Sequence, residues 1–274
     1  MDQKTLGICV MGGLGNQLFQ IFTGLSKAID ENKDLIIYLI NDKRIYHNKI
    51  IFKNLKNVLH YDNIINKSEI YVDDNRNYTK IPDNVNIICG FYQSYKYFYD
   101  NYDKIIDILE IRDLQKKYIL PFKKTIAIHL RMGDYLEYGC HICSPKYYLN
   151  AINELKIKIH DINEYTFIIF TEKCNDSIIN NQYLEIMNLS FKVVKIYDIM
   201  PNITDEEEFI YMSNCDHFII PNSTFSWWAA YLSKNNENKL VLYSDIWCKT
   251  DTISNNNLYH DDLFLKDWIK ISNF

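Results

Sequence analysis

Three short segments carry residue types and spacings able to act on an anionic, hydroxyl-bearing ligand. The first is Ala127-Ile128-His129-Leu130-Arg131-Met132-Gly133-Asp134-Tyr135. At the end of a strand, alternation puts His129 and Arg131 on one face, Gly133 frees the backbone, and Asp134 can turn back to pair the guanidinium. A guanidinium held in this way grips phosphate bidentately and steadies the charge that gathers on a departing diphosphate. A structural Arg–Asp pair beside a satisfied histidine would use the same residues. The second segment is Pro221-Asn222-Ser223-Thr224-Phe225-Ser226-Trp227-Trp228, where an apolar strand runs into small hydroxyl and amide side chains. Asn222, Ser223 or Thr224 can cap the helix that follows, and the helix start can bind pyrophosphate through its N–H groups. An ordinary cap ahead of a core helix is the plainer alternative. The third is Gly12-Gly13-Leu14-Gly15-Asn16-Gln17. Glycines let a backbone approach a ligand closely, although a plain strand-to-helix turn needs them too. Leu18 stands where a dinucleotide fingerprint requires a third glycine, and no Gly-Lys-Ser/Thr of a Walker loop follows.

Each segment needs a strand to deliver it. Leu6 to Met11, Leu35 to Ile40 and Ile87 to Gly90 read as strands, with a helix over Asn16 to Lys33 and a Tyr-rich helical region over Ser94 to Leu109. The stretch from Asn41 to Asn86 is polar and irregular. The βα rhythm then resumes. Strands are expected at Thr125 to Leu130, Thr166 to Phe170, Lys192 to Ile196, His217 to Ile220 and Leu240 to Tyr243, and helices at Tyr147 to His160, Glu206 to Asn214 and Ser226 to Ser233. Alternation of this kind predicts parallel strands in doubly wound α/β layers, with ligands at the carboxyl ends of the strands. The Lys- and Pro-bearing stretch from Lys116 to Lys124 marks a boundary, which divides the chain into residues 1–118 and 119–274.

The 274 residues can bury a sizeable core, and 47% hydrophobic with 24% charged residues is ordinary for a globular protein. A formal net charge of -5 excludes the dominant basic face that a nucleic-acid binder needs. The apolar runs are too short to span a bilayer, and no basic-then-apolar leader opens the chain, so a soluble, cytoplasmic protein is expected. Seven cysteines, an odd number scattered through apolar segments, suit a reducing compartment.

Together the Gly-Leu-Gly-Asn-Gln-Leu-Phe-Gln turn, the His-Leu-Arg-Met-Gly-Asp-Tyr segment and the Asn-Ser-Thr-Phe-Ser-Trp-Trp-Ala-Ala segment resemble the alpha-1,2-fucosyltransferases of glycosyltransferase family 11 in order and spacing. Weaker echoes at Tyr147-Tyr148, Phe170-Thr171-Glu172 and Met212-Ser213-Asn214-Cys215 extend the likeness over most of the chain. The resemblance implies a GT-B-like α/β fold, two Rossmann-like doubly wound domains facing a cleft. It implies that 119–274 binds GDP-L-fucose, and that the glycine turn of 1–118 (Gly13, Gly15, Asn16, Gln17) faces the cleft on the side of a glycan acceptor. On the same basis Arg131 holds the β-phosphate, His129 and Asp134 shape that site, and Asn222, Ser223, Thr224, Ser226 and Glu172 bind the donor. The family's chemistry is inverting and needs neither metal nor other cofactor. In agreement, the chain has no Asp-x-Asp triplet of the kind that holds a metal on a diphosphate. Two positions depart from the family pattern: Met132 replaces a second arginine, and Pro221 precedes the asparagine.

Asp134, Glu137 and Glu172 are candidates for the base that takes the acceptor's proton. Cys140-His141-Ile142-Cys143 lacks a partner pair for a metal site, and Asp205-Glu206-Glu207-Glu208 reads as a solvated helix start. Phe91-Tyr92-Gln93-Ser94-Tyr95 is core packing or a stacking surface for a sugar. Transfer of another deoxy sugar such as rhamnose, or an inactive glycan-binding module, would preserve the same motifs.

Overall fold

A computed structural model describes residues 4–40, 46–60, 70–73, 77–137, 140–234, 238–247 and 262–274. They form two compact units, residues 4–114 with 262–265, and residues 115–247 with 266–274.

The first unit opens β1 (Thr5–Val10), α1 (Leu14–Asp30), β2 (Asp34–Leu39), and continues with β3 (Val58–His60), β4 (Ile70–Asp73), β5 (Ile87–Gly90) and α2 (Tyr102–Ile108). Its strands are all parallel, in the order β3-β2-β1-β5-β4. α1 buries Leu18, Phe19, Ile21, Phe22 and Leu25, the stripe its apolar spacing predicts. Two findings differ from the sequence reading. β3 and β4 lie inside the stretch taken as irregular: both are short and carry polar residues at the sheet's edges, so period alone gives no signal. The Tyr-rich region is helical only from Tyr102, after two single 3-10 turns at Tyr95–Tyr97 and Tyr99–Asn101.

The chain passes into the second unit within α3 (Ile111–Lys117) and runs through β6 (Thr125–His129), α4 (Gly133–Glu137), α5 (Pro145–Lys158), β7 (Thr166–Phe170), α6 (Asp176–Gln182), α7 (Leu184–Met187), β8 (Lys192–Lys195), α8 (Ile196–Ile199), α9 (Asp205–Ser213), β9 (His217–Ile220), α10 (Thr224–Leu232), β10 (Val241–Ser244) and β11 (Ile269–Ile271). The sheet order is β11-β10-β9-β6-β7-β8, again parallel throughout. β6, β7 and β9 are buried along their whole length, which is why they read as unbroken apolar runs instead of alternating ones. One face packs Ile126, Ile128, Phe167, Ile169 and Ile219 against Tyr147, Tyr148, Ala151 and Ile152 of α5. α5 itself starts on Ser144, whose hydroxyl accepts the Tyr147 N–H, with Pro145 in the first turn. Each unit is thus a Rossmann-like, doubly wound layer structure, and the chain is α/β with two parallel sheets.

Candidate active site

In the second unit the chain builds β6, β7 and β8 outward in one direction and β9, β10 and β11 in the other. The reversal lies between β6 and β9, and the crevice at the carboxyl ends of such a pair is where open parallel sheets bind ligands. The two segments singled out by residue type leave the sheet at this point: Arg131 follows β6, and Asn222 to Thr224 follow β9.

Arg131 is the cation at the opening. Its side chain is 23% exposed, and Nη1 donates to Glu172 Oε1 at 3.1 Å from the end of the neighbouring β7. The guanidinium carbon lies 5.1 Å from the centre of the Tyr135 ring. Gly133 has φ +20°, and a Cβ there would sit 2.2 Å from Glu172 Oε2, so the missing side chain is what admits the carboxylate. Asp134, three residues on, is the partner that chain proximity suggests for the guanidinium. The side chains of Asp134 and Glu137 lie outside the described residues, and Glu172 is a partner the structure brings to Arg131. His129 ends β6, 5% exposed, with Nδ1 unpartnered and its ring 5.6 Å from that of Phe225. Burial, and secondarily the Arg131 charge, lowers its pKa to about 3, so the imidazole is neutral at ordinary pH.

At the β9 exit four polar side chains, Asn222, Ser223, Thr224 and Ser226, stand close together in the chain. Asn222 is 5% exposed, and its amide nitrogen donates to the carbonyls of His141 and Trp247, each at 3.2 Å. Cys143 Sγ donates to its Oδ1 at 3.8 Å. Ser226 is wholly buried and donates to the Ser223 carbonyl at 3.3 Å. These two side chains are committed to the interior and build the turn. Ser223 occupies the N-cap position, but no side-chain hydrogen bond caps the helix. Capping by Asn222, Ser223 or Thr224 is therefore not realised, and among the described residues no side chain caps the first turn of the nine-residue α10. The helix is anchored behind by Trp227 and Trp228, both fully buried, with Trp227 stacked on Tyr231 at 4.8 Å.

Two further residues join this group. Tyr135, besides lying against Arg131, donates its hydroxyl to the Asn222 carbonyl at 2.7 Å. Glu208, read as part of a solvated helix start, is half-buried on α9. Its pKa is raised to about 8, first by burial and then by the charges of Asp205 and Glu172, with Arg131 opposing. Only part of the acidic run is solvated: Glu207 completes a capping box with Thr204, while Glu206 is buried. Helical period held the clue, since Glu208 falls four residues before the fully buried Met212 and shares its face.

Residues 8–272 match the family model for Glycosyl transferase family 11. The chain belongs to glycosyl transferase family 11. Its relatives include an alpha-1,2-colitosyltransferase of Escherichia coli, 24% identical over 89% of this chain and 92% of that one. A galactoside 2-alpha-L-fucosyltransferase of Caenorhabditis elegans is 26% identical over 94% of this chain and 77% of that one. Among solved structures, the fucosyltransferase NodZ from Bradyrhizobium aligns with a TM-score of 0.45 at 12% identity, covering 85% of this chain and 94% of that one.

In this family 11 glycosyltransferase the glycine turn of the first unit sits at that sheet's own point of reversal, between β1 and β5. Gly12 needs its left-handed φ of +78°, and Gly13 has open space where a Cβ would stand. Gly15 is buried inside α1, which starts at Leu14, two residues before the Asn16 start expected from sequence. Gln17 is buried and ties the turn together, donating to the Gly12 carbonyl at 2.8 Å and accepting from His47 N at 3.2 Å. Asn16 accepts from Gln93 Nε2 at 3.1 Å, which joins the β1 and β5 exits. Among the described residues, no helix is long and apolar enough to cross a membrane.

Proposed function

We propose that this enzyme transfers L-fucose from GDP-β-L-fucose to a sugar hydroxyl, the 2-hydroxyl of a galactose-type residue, inverting the anomeric carbon without a metal. The observation that carries the reading is Arg131, fixed by Glu172 and Tyr135 at the switch point beside the start of α10. A diphosphate in that crevice meets a guanidinium on one side and, on the other, a helix start that carries no side-chain cap among the described residues. In the reaction the acceptor oxygen bonds to C1 of fucose from the face opposite GDP, the C1–O bond to the β-phosphate breaks, and the hydroxyl proton passes to a carboxylate. The charge that accumulates on the leaving oxygen is then stabilised by groups already in place, which need no reorganisation at the moment of bond breaking. His129, buried and neutral, adds no charge beside Arg131.

The donor sugar rests on family membership and on relatives whose names specify fucosyl transfer. The colitosyl relative favours a second reading, in which the donor is a dideoxy hexose lacking one of fucose's hydroxyls. Release of GDP or dTDP, measured with GDP-fucose, GDP-colitose, GDP-mannose and dTDP-rhamnose, with and without a β-galactoside and with EDTA present, separates them. Turnover is expected with GDP-fucose, stimulated by the galactoside and unaffected by EDTA. Turnover confined to a non-GDP donor, or abolished by EDTA, would overturn the assignment. Arg131→Lys keeps the charge but loses the planar fork, and a barrier increase of about 2–4 kcal/mol is expected. Wild-type rates in that variant would remove Arg131 from its role.

A further inference from the structure

An arginine at a crevice mouth has many rotamers, and a carboxylate half open to water holds it only weakly. Glu172, the partner of Arg131, is itself 46% exposed. What confines the guanidinium in a second direction is the Tyr135 ring, 5.1 Å from its carbon. That ring is in turn held at both ends. Its backbone N–H donates to the Met132 carbonyl at 2.7 Å, and its hydroxyl donates to the Asn222 carbonyl at 2.7 Å. Asn222 is a firm mooring, because its buried amide bridges the segments at His141 and Trp247. We propose that Tyr135 is a positioning residue for transfer, its ring carrying Arg131 and its hydroxyl tying the β6 exit to the β9 exit so that cation and helix start meet one diphosphate together.

The proposal rests on the reading of Arg131 as the diphosphate cation. It assigns Tyr135 no contact with the substrate. Its work is done before binding, by removing freedom that a bound diphosphate would otherwise have to freeze out. The ring and the hydroxyl have separable effects, since Tyr135→Phe retains the first and Tyr135→Leu neither.

The test measures GDP affinity by calorimetry and donor and acceptor kinetics in the full chain for Tyr135→Phe, Tyr135→Leu, Arg131→Ala and the Tyr135→Leu/Arg131→Ala pair, with melting temperatures as a check on folding. Loss of the ring is expected to weaken GDP binding roughly tenfold, the scale of one partly desolvated cation–π contact. Tyr135→Phe should fall between wild type and Tyr135→Leu in kcat/KM for the donor, with the acceptor KM unchanged within about twofold, a split that general destabilisation does not produce. In the Arg131→Ala background, Tyr135→Leu should weaken GDP binding no further. If the two losses add in full while Arg131→Ala alone is impaired, the positioning role is wrong and the donor-site reading stands. If Arg131→Ala binds GDP and turns over like wild type, the donor-site reading falls and this proposal with it. Should Tyr135→Leu not fold, wild-type donor kinetics in a folded Tyr135→Phe overturn the mooring, and an intermediate loss supports it.

Discussion

Glu208 and His129 both feel the charge of Arg131 and are both held neutral near pH 7 by their surroundings, for opposite reasons. Burial and neighbouring negative charge make Glu208 keep its proton up to about pH 8, whereas burial and a neighbouring positive charge deny His129 one down to about pH 3. With these two groups neutral, the charge around Arg131 is set chiefly by its ion pair with Glu172. The folded state binds the Glu208 proton more tightly than the unfolded chain, whose carboxyl titrates near 4.5. The stabilisation from this group is complete below about pH 4.5 and is lost as pH rises towards 8. Glu208→Gln, neutral throughout, should accordingly lose less stability than wild type between pH 5.5 and 8.5, by on the order of 1 kcal/mol once partial exposure is allowed for. Denaturant midpoints at the two pH values measure it, and superimposable profiles would refute the burial of that carboxyl.

At the level of elements, the site depends on how tightly the β6 exit packs against the end of β7. A Cβ at Gly133 would fall 2.2 Å from one Glu172 oxygen and 2.6 Å from the other. The side chain that must yield is flexible, so Gly133→Ala should cost little fold stability, roughly 1 kcal/mol including its backbone conformation. Function should suffer more, because the displaced carboxylate leaves Arg131: a donor kcat/KM about tenfold below wild type is expected. A variant with normal kinetics would mean that Glu172 need not face Arg131. The same packing explains why this pairing was unreadable in the sequence. Residues 131 and 172 are brought together by the pairing of β6 with β7, and nothing in the local pattern of either segment announces it. Asn222 shows the converse: its residue type suggested a ligand, yet its neighbours claim the whole amide.

Across the whole molecule, two separately compact units share one chain, and the second carries the switch point with its cation. A ligand that binds only the folded second unit must stabilise it by mass action. GDP at about a hundred times its dissociation constant should add roughly 2.7 kcal/mol to the stability of the unit it binds, visible as a rise in melting temperature. EDTA should leave that rise intact. No shift with GDP, or one that disappears on chelation, would count against a metal-free GDP site.

Much of this protein was legible from residue order alone. Buried parallel strands must be apolar along their whole length, and helices that cover them must repeat near every fourth residue, so β5, β7 and β9 were read with the bounds they have. The Arg131 and Asn222 segments were likewise visible, because a cation or a cluster of hydroxyls at a strand's end is a local feature. Tertiary structure alone decided strand order, and with it which strand ends became neighbours. It turned Asn222 and Ser226 inward, gave Arg131 the partners Glu172 and Tyr135, and drew Glu208 out of water. Such outcomes depend on residues distant in sequence arriving at one place, and burial, which sets both hydrogen-bond partners and proton affinity, exists only once they have arrived.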